Sequence, residues 1–158
     1  RDPSGLPTQR NLLAHVPRRA HGLCVMPDAI AFDVLRVHLA AAATGTPLGI
    51  VVRGESVPSF LAPLADAFVL LPRDEAALAE RLAASRLGSL RVVGTADDAF
   101  LRAAASSDLR LLRGPVLESS RDALAEHLEE RSLCLEDHRY GRALHPALAA
   151  RVPSFFGY

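Results

Sequence analysis

The sequence predicts an α/β domain built on a mainly parallel sheet with helices on both faces. Three observations carry that prediction. Short apolar runs recur along the chain: "GLCVM" (22–26), "PLGIVV" (47–52), "AFVLL" (67–71), "LRVVG" (90–94), "LRLL" (109–112) and "SLCLE" (132–136). Segments with a helical apolar period separate most of them. The connections suit crossovers rather than hairpins, so successive strands are expected to run parallel.

Each element has a local justification. "PDAIAFDVLRVHLAAA" (27–42) is expected to be a helix with Pro27 or Asp28 near its start. Ser56 is a plausible cap for a short helix through Leu64. Asp74 should cap "EAALAERLAAS", in which Ala77, Leu78 and Leu82 share one face and Gly88 follows the end. Thr95 with Asp98 resembles a capping box before "DDAFLRAAASS", and Ser119 or Ser120 opens "RDALAEHLEER". Strand and helix alternate throughout, which specifies a Rossmann-like, doubly wound sheet of about five or six strands. The expected organisation is an arm or linker at 1–20, the α/β domain at 21–141 and a C-terminal tail at 142–158. The arm assignment rests on three prolines and the lack of a sustained period in the first twenty residues.

Composition narrows the function classes. With 158 residues and 49% hydrophobic content the chain can bury a real core. The 18 basic and 18 acidic residues cancel, so no global field draws it to nucleic acid or an anionic membrane. Every basic residue is Arg, which excludes a lysine Schiff base and a P-loop lysine. The longest apolar stretch, "HLAAAATGTPLGIVV", is interrupted by Thr, Gly and Pro, so no transmembrane segment is expected. Two cysteines without Cys-x-x-Cys spacing suggest neither zinc nor a disulfide framework, and the expected location is cytoplasmic.

The chemistry-bearing positions are sparse. The first strand-to-helix turn, "VMPDA", lacks the glycines of a phosphate cradle and puts Asp28 where an anion would sit. "VVGTADD" comes nearest to a phosphate loop but also carries acids at the helix start. Cys24 reads as a small buried hydrophobe. Cys134 and His138 would share a strand face, yet too far apart to bond unless the chain bends after Glu136. No metal spacing links the six histidines, and no serine has a Gly-x-Ser-x-Gly setting. Catalytic, cofactor-binding and metal-binding residues are therefore expected to be absent. The polar cluster "EDHRYG" contains His138, Arg139, Tyr140 and Gly141, which suit an interface: a bidentate guanidinium, an amphipathic ring and a tight turn. Phe155, Phe156 and Tyr158 near the chain end either tuck into the core or dock on a partner.

Several segments in order resemble one family. "DPSGLPTQRNLLAHVPRRAHGLCV", "DAFVLLPRDEAALAERLAASRLGSLRVVGT" and "LLRGPVLESSRDALAEHLEERSLCLEDHRYG" are similar to the C-terminal region of proline utilization A, a bifunctional enzyme of the aldehyde dehydrogenase superfamily. The resemblance implies a parent with an FAD-dependent proline dehydrogenase and an NAD-dependent glutamate semialdehyde dehydrogenase. None of that family's catalytic residues maps onto this chain. Cys134 falls where relatives carry Ser, and Arg142 stands where an Asn is usual. The implied role is a non-catalytic domain in domain packing, oligomerisation or closure of the intermediate channel. Its partners would be other domains or subunits of the parent, in a homo-oligomer. The alternative is a free-standing Rossmann-like domain that binds a small molecule at the carboxyl ends of its strands. A third reading is an independent enzyme using Cys134 and His138.

Overall fold

The computed structural model describes residues 9–63 and 69–136. Along the chain run β1 (Gln9–Pro17), β2 (His21–Val25), α1 (Ala31–Thr44), β3 (Leu48–Val52), a 3-10 turn (Ser59–Leu61) and β4 (Val69–Leu70). Then follow α2 (Glu75–Ala84), β5 (Ser89–Val93), α3 (Asp98–Ala105), β6 (Arg110–Leu112), α4 (Ser120–Glu126) and β7 (Leu128–Glu136). Two units result: Arg18–His127, and the residues on either side of it, where β1 pairs with β7.

The larger unit is the doubly wound α/β fold that the sequence predicts. Five parallel strands stand in the order β4-β3-β2-β5-β6. The chain starts at the central β2, winds outward through β3 to β4, then returns across β2 to β5 and β6. Reversing the winding direction puts the crossover helices on opposite faces. Alternation along each strand then feeds two cores. Cys24, Met26, Leu90 and Val92 join Leu78, Leu82 of α2 and Phe100 of α3 in one; Leu23, Val25, Ile50, Val52 and Val93 join Val34 and Val37 of α1 in the other. All five residues of β2 and of β5 are buried. That is the near-continuous apolar pattern of a strand covered on both faces. Each such Leu or Phe side chain contributes about 2 kcal/mol by leaving water.

Several local expectations need correction. Helix α1 begins at Ala31 after Ile30, not at Pro27 or Asp28, because the Asp28 carboxylate accepts the Thr95 N–H at 2.8 Å instead. Asp97, not Thr95, caps α3, accepting from Phe100 N at 2.7 Å. Among the described residues after Ser56 the chain forms the turn Ser59–Leu61 following Pro58, and Leu64 lies outside them. Asp74 caps α2 as expected, accepting from Ala77 N at 2.9 Å. Helix α4 stops at Glu126, so part of the expected helix "RDALAEHLEER" is strand β7. The segment "SLCLE" does not add a parallel strand: it lies in β7 and pairs antiparallel with β1, outside the five-stranded sheet. Part of "AFVLL" lies outside the described residues.

The β1–β7 ribbon is nine residues long on each strand, running from the pair Gln9 and Glu136 to the pair Pro17 and Leu128. Leu12 faces Leu133 across it, and His15 lies opposite Glu130, their side chains 3.7 Å apart. No helix among the described residues is long and apolar enough to cross a membrane.

One close approach governs the turn after β5. Gly94 has φ +97°, and a Cβ there would come within 2.5 Å of Asp28 Oδ1 and 2.7 Å of Met26 Cβ. Gly45, which ends α1 at φ +68°, has nothing within 4 Å of its Cβ position. Gly94→Ala is expected to destabilise the domain by about 3 kcal/mol, and Gly45→Ala by only about 1 kcal/mol, in urea unfolding. Equal losses would contradict the account of Gly94.

Candidate functional site

The carboxyl ends of parallel strands are where open α/β sheets receive ligands. Here β2 and β5 diverge at the switch point between outward and return winding. Their loops are drawn together by the Asp28–Thr95 bond and by the contact of Gly94 with Met26. Hydrogen bonding from Thr95 holds the Asp28 carboxyl below its usual range. An incoming pyrophosphate would meet that carboxylate directly, a repulsion the "VMPDA" turn already suggests.

Beside this closed crevice the loops after β2, β3, β4 and β5 leave a hollow of about 390 Å³, lined by Pro27, Arg53, Gly54, Glu55, Arg73 and Asp97. Two guanidiniums and two carboxylates therefore face one space. Arg53 follows β3 directly and is buried. Its Nε donates to Asp97 Oδ2 at 3.0 Å, and its Nη1 donates to the Pro72 carbonyl. Its Nη2 is held loosely, 3.5 Å from Asp97 Oδ1. The Arg53 hydrogen bond is the main reason the Asp97 carboxyl lies below its ordinary value. Asp97 thus caps α3 and anchors Arg53 together. Arg73 differs: it bonds Glu55 with both side chains exposed, 72% and 78%. An exposed pair is worth at most about 1 kcal/mol, so Arg73 can exchange Glu55 for a ligand anion at small cost.

A second polar cluster lies at the amino ends of β2 and β5. The parallel register pairs His21 with Ser89, and His21 Nδ1 lies 2.7 Å from Ser89 Oγ. The His21 and His127 rings meet edge to face at 4.7 Å, and Thr46 Oγ1 donates to the His127 carbonyl at 2.8 Å. The buried Arg91 donates to Glu126 Oε1 at 3.1 Å and to the Pro115 carbonyl at 2.6 Å. Burial lowers both imidazoles to about 4, assisted by each ring's cationic neighbours, Arg18 and Arg91, and for His21 by His127.

The positions singled out from the sequence fall elsewhere. Cys24 is buried in the sheet, and burial pushes its thiol up to about 12, so it is protonated and inert at neutral pH. Cys134 is exposed on β7. His138, Arg139, Tyr140, Gly141, Phe155, Phe156 and Tyr158 lie outside the described residues, as does the Cys134–His138 pairing. Among the described residues no group of three or more His, Cys, Asp or Glu side chains is placed to hold a metal ion. Sequence reasoning missed Arg53 and Arg91. The available signal was a charge placed at the end of, or inside, an otherwise apolar strand: Arg53 after "GIVV", Arg91 within "LRVV".

No protein-family model matches the chain, and no curated protein matches it. Among solved structures, methylglyoxal synthase from Elizabethkingia anophelis NUHP1 is similar at 12% identity and a TM-score of 0.45, covering 85% of this chain and 98% of that one. The resemblance to proline utilization A is overturned by these comparisons: no family model and no curated relative supports the assignment. With it go the aldehyde dehydrogenase superfamily, the place in proline catabolism and the packing, oligomerisation or channel-closing role. The quoted segments are Ala-, Leu- and Arg-rich, a composition that many α/β chains share.

The two buried imidazoles give a pH prediction. Each has a folded value near 4 and an ordinary value of 6.5, so the unfolded chain takes up protons first as pH falls. Their stabilisation is complete above pH 6.5 and is lost progressively towards pH 4. Urea unfolding at pH 7.5 and 5.5 should show a loss of roughly 1 kcal/mol per imidazole. His21→Gln with His127→Gln should flatten that slope; an unchanged slope would contradict the assignment.

Proposed function

We propose that the chain is a Rossmann-like small-molecule-binding domain that takes a small anion, a carboxylate or phosphate, at the carboxyl ends of β2, β3 and β4. The observation that carries this reading is the pairing of one fixed and one exchangeable guanidinium around one hollow. Arg53 is oriented by Asp97 and the Pro72 carbonyl, leaving Nη2 with a long contact to spend. Arg73 is tied only to the exposed Glu55. A planar or tetrahedral anion between them would replace that weak exposed pair with charge-assisted bonds from two sides. Gly54, between Arg53 and Glu55, adds no side chain to the wall.

The binding chemistry requires no covalent step. Asp28 and Asp97 flank the switch point and disfavour an extended polyanion there, so the expected ligand is compact and carries one or two charges. Calorimetric titration of the whole chain with acetate, succinate and inorganic phosphate should give saturable binding for at least one of them in the range of about 0.1 to 10 mM. Arg73→Ala should weaken it about tenfold, the loss of one charge-assisted contact. The variant should keep its circular dichroism, because Arg73 is exposed. No saturable heat with any of the three, or full affinity in the variant, would refute the reading.

A further inference from the structure

A separate cavity lies at the amino ends of β5 and β6 and stands apart from the hollow at the carboxyl ends of β2, β3 and β4. A cavity of about 240 Å³ opens there, lined among others by Arg18, Ser89, Arg110, Asp122 and Glu126. Its charges are not all committed. Glu126 is neutralised by the buried Arg91 at 3.1 Å, and its carbonyl accepts from Arg18 Nε at 2.8 Å. Those two bonds fix the end of α4 against the cavity. Among the described residues neither the Arg110 guanidinium nor the Asp122 carboxylate forms a hydrogen bond or ion pair. One unspent cation and one unspent anion therefore wall the same small space.

The third contribution is uncharged. Ser89 is 3% exposed, yet its residue lines the cavity, with its hydroxyl held by His21 Nδ1 at 2.7 Å. Neutral His21 can donate to that hydroxyl, which then turns its own proton towards the cavity. A buried hydroxyl beside opposite unspent charges suits a ligand that carries both signs and a polar waist.

We propose that this cavity binds a small zwitterion, with its carboxylate on Arg110 and the outer nitrogens of Arg18 and its ammonium on Asp122. Ser89 supplies an orienting hydrogen bond. A simple anion would leave Asp122 repelling it, and a simple cation would meet two guanidiniums. Only a molecule with both charges satisfies both walls.

The test uses the whole chain and four probes: glycine, β-alanine, acetate and methylammonium, followed by injection heats. Glycine or β-alanine should saturate at or below about 10 mM, with acetate and methylammonium at least about tenfold weaker at this site. Arg110→Ala and Asp122→Asn should each weaken the zwitterion about tenfold, as expected for removing one charged hydrogen bond. Both side chains are exposed, so folding should be retained, with unchanged circular dichroism as the control. Arg73→Ala, at the opposite edge of the sheet, should leave zwitterion binding unchanged and so separates the two sites. Absence of saturable heat with both zwitterions overturns the proposal. So does acetate binding that equals glycine and survives Arg73→Ala, or an Asp122→Asn variant with full affinity.

Discussion

The burial of β2 on both faces is the constraint from which the rest of the larger unit follows. Five residues without exposure, His21–Val25, must present side chains alternately to two cores. Leu23 and Val25 require α1 above them, and Cys24 and Met26 require α2 and α3 below. No arrangement with helices on one side would keep both sets from water. Pairing β2 with β3 on one flank and β5 on the other then satisfies its backbone on both edges. The two polar clusters are consequences of that arrangement. They lie at opposite ends of the central strands, where the apolar runs finish and the chain must turn.

Each cluster also shows how a buried charge is accommodated. Arg53 and Arg91 would be costly in an apolar setting, and the outer nitrogens of both donate to oxygen acceptors, while the Arg91 Nε has no partner among the described residues. Asp97 and Pro72 serve the first; Glu126, Gly114 and Pro115 serve the second. These bonds lock the loops after β3 and β6 to neighbouring elements. Breaking one partner would leave a buried charge uncompensated, which costs more than the pair itself contributes. The guanidiniums are therefore rigid, and rigidity is what a recognition site requires of them.

The strands were legible because β-branched and apolar runs such as "GIVV" and "RVVG" sit between turn residues. Helices α2 and α3 were legible from Leu78 with Leu82 and from the acids before them. The start of α1 was not, because Asp28 forms its bond to Thr95, 67 residues away, and no local pattern encodes that choice. The ribbon was missed for a similar reason. Its strands lie at opposite ends of the sequence, and β7 mixes charged and apolar residues in "LEERSLCLE". The adjacency of His21 and Ser89 depends on strand register, which composition does not record. Arg53 and Arg91 were visible as misplaced charges, but their partners were not. The family resemblance failed because short strand–helix segments in an Ala-, Leu- and Arg-rich chain are poor evidence of kinship.

The central claim is that function resides in the charged hollow beyond β2, β3 and β4. Its most direct test is the backbone-amide NMR spectrum of the whole chain during titration with inorganic phosphate. The account predicts saturable shifts concentrated at Gly54, Glu55, Arg73 and Asp97, with the apolar wall of a separate pocket, to which Ile50, Leu82 and Leu87 contribute, unmoved. Shifts that never saturate, or that gather on that apolar wall, would contradict it.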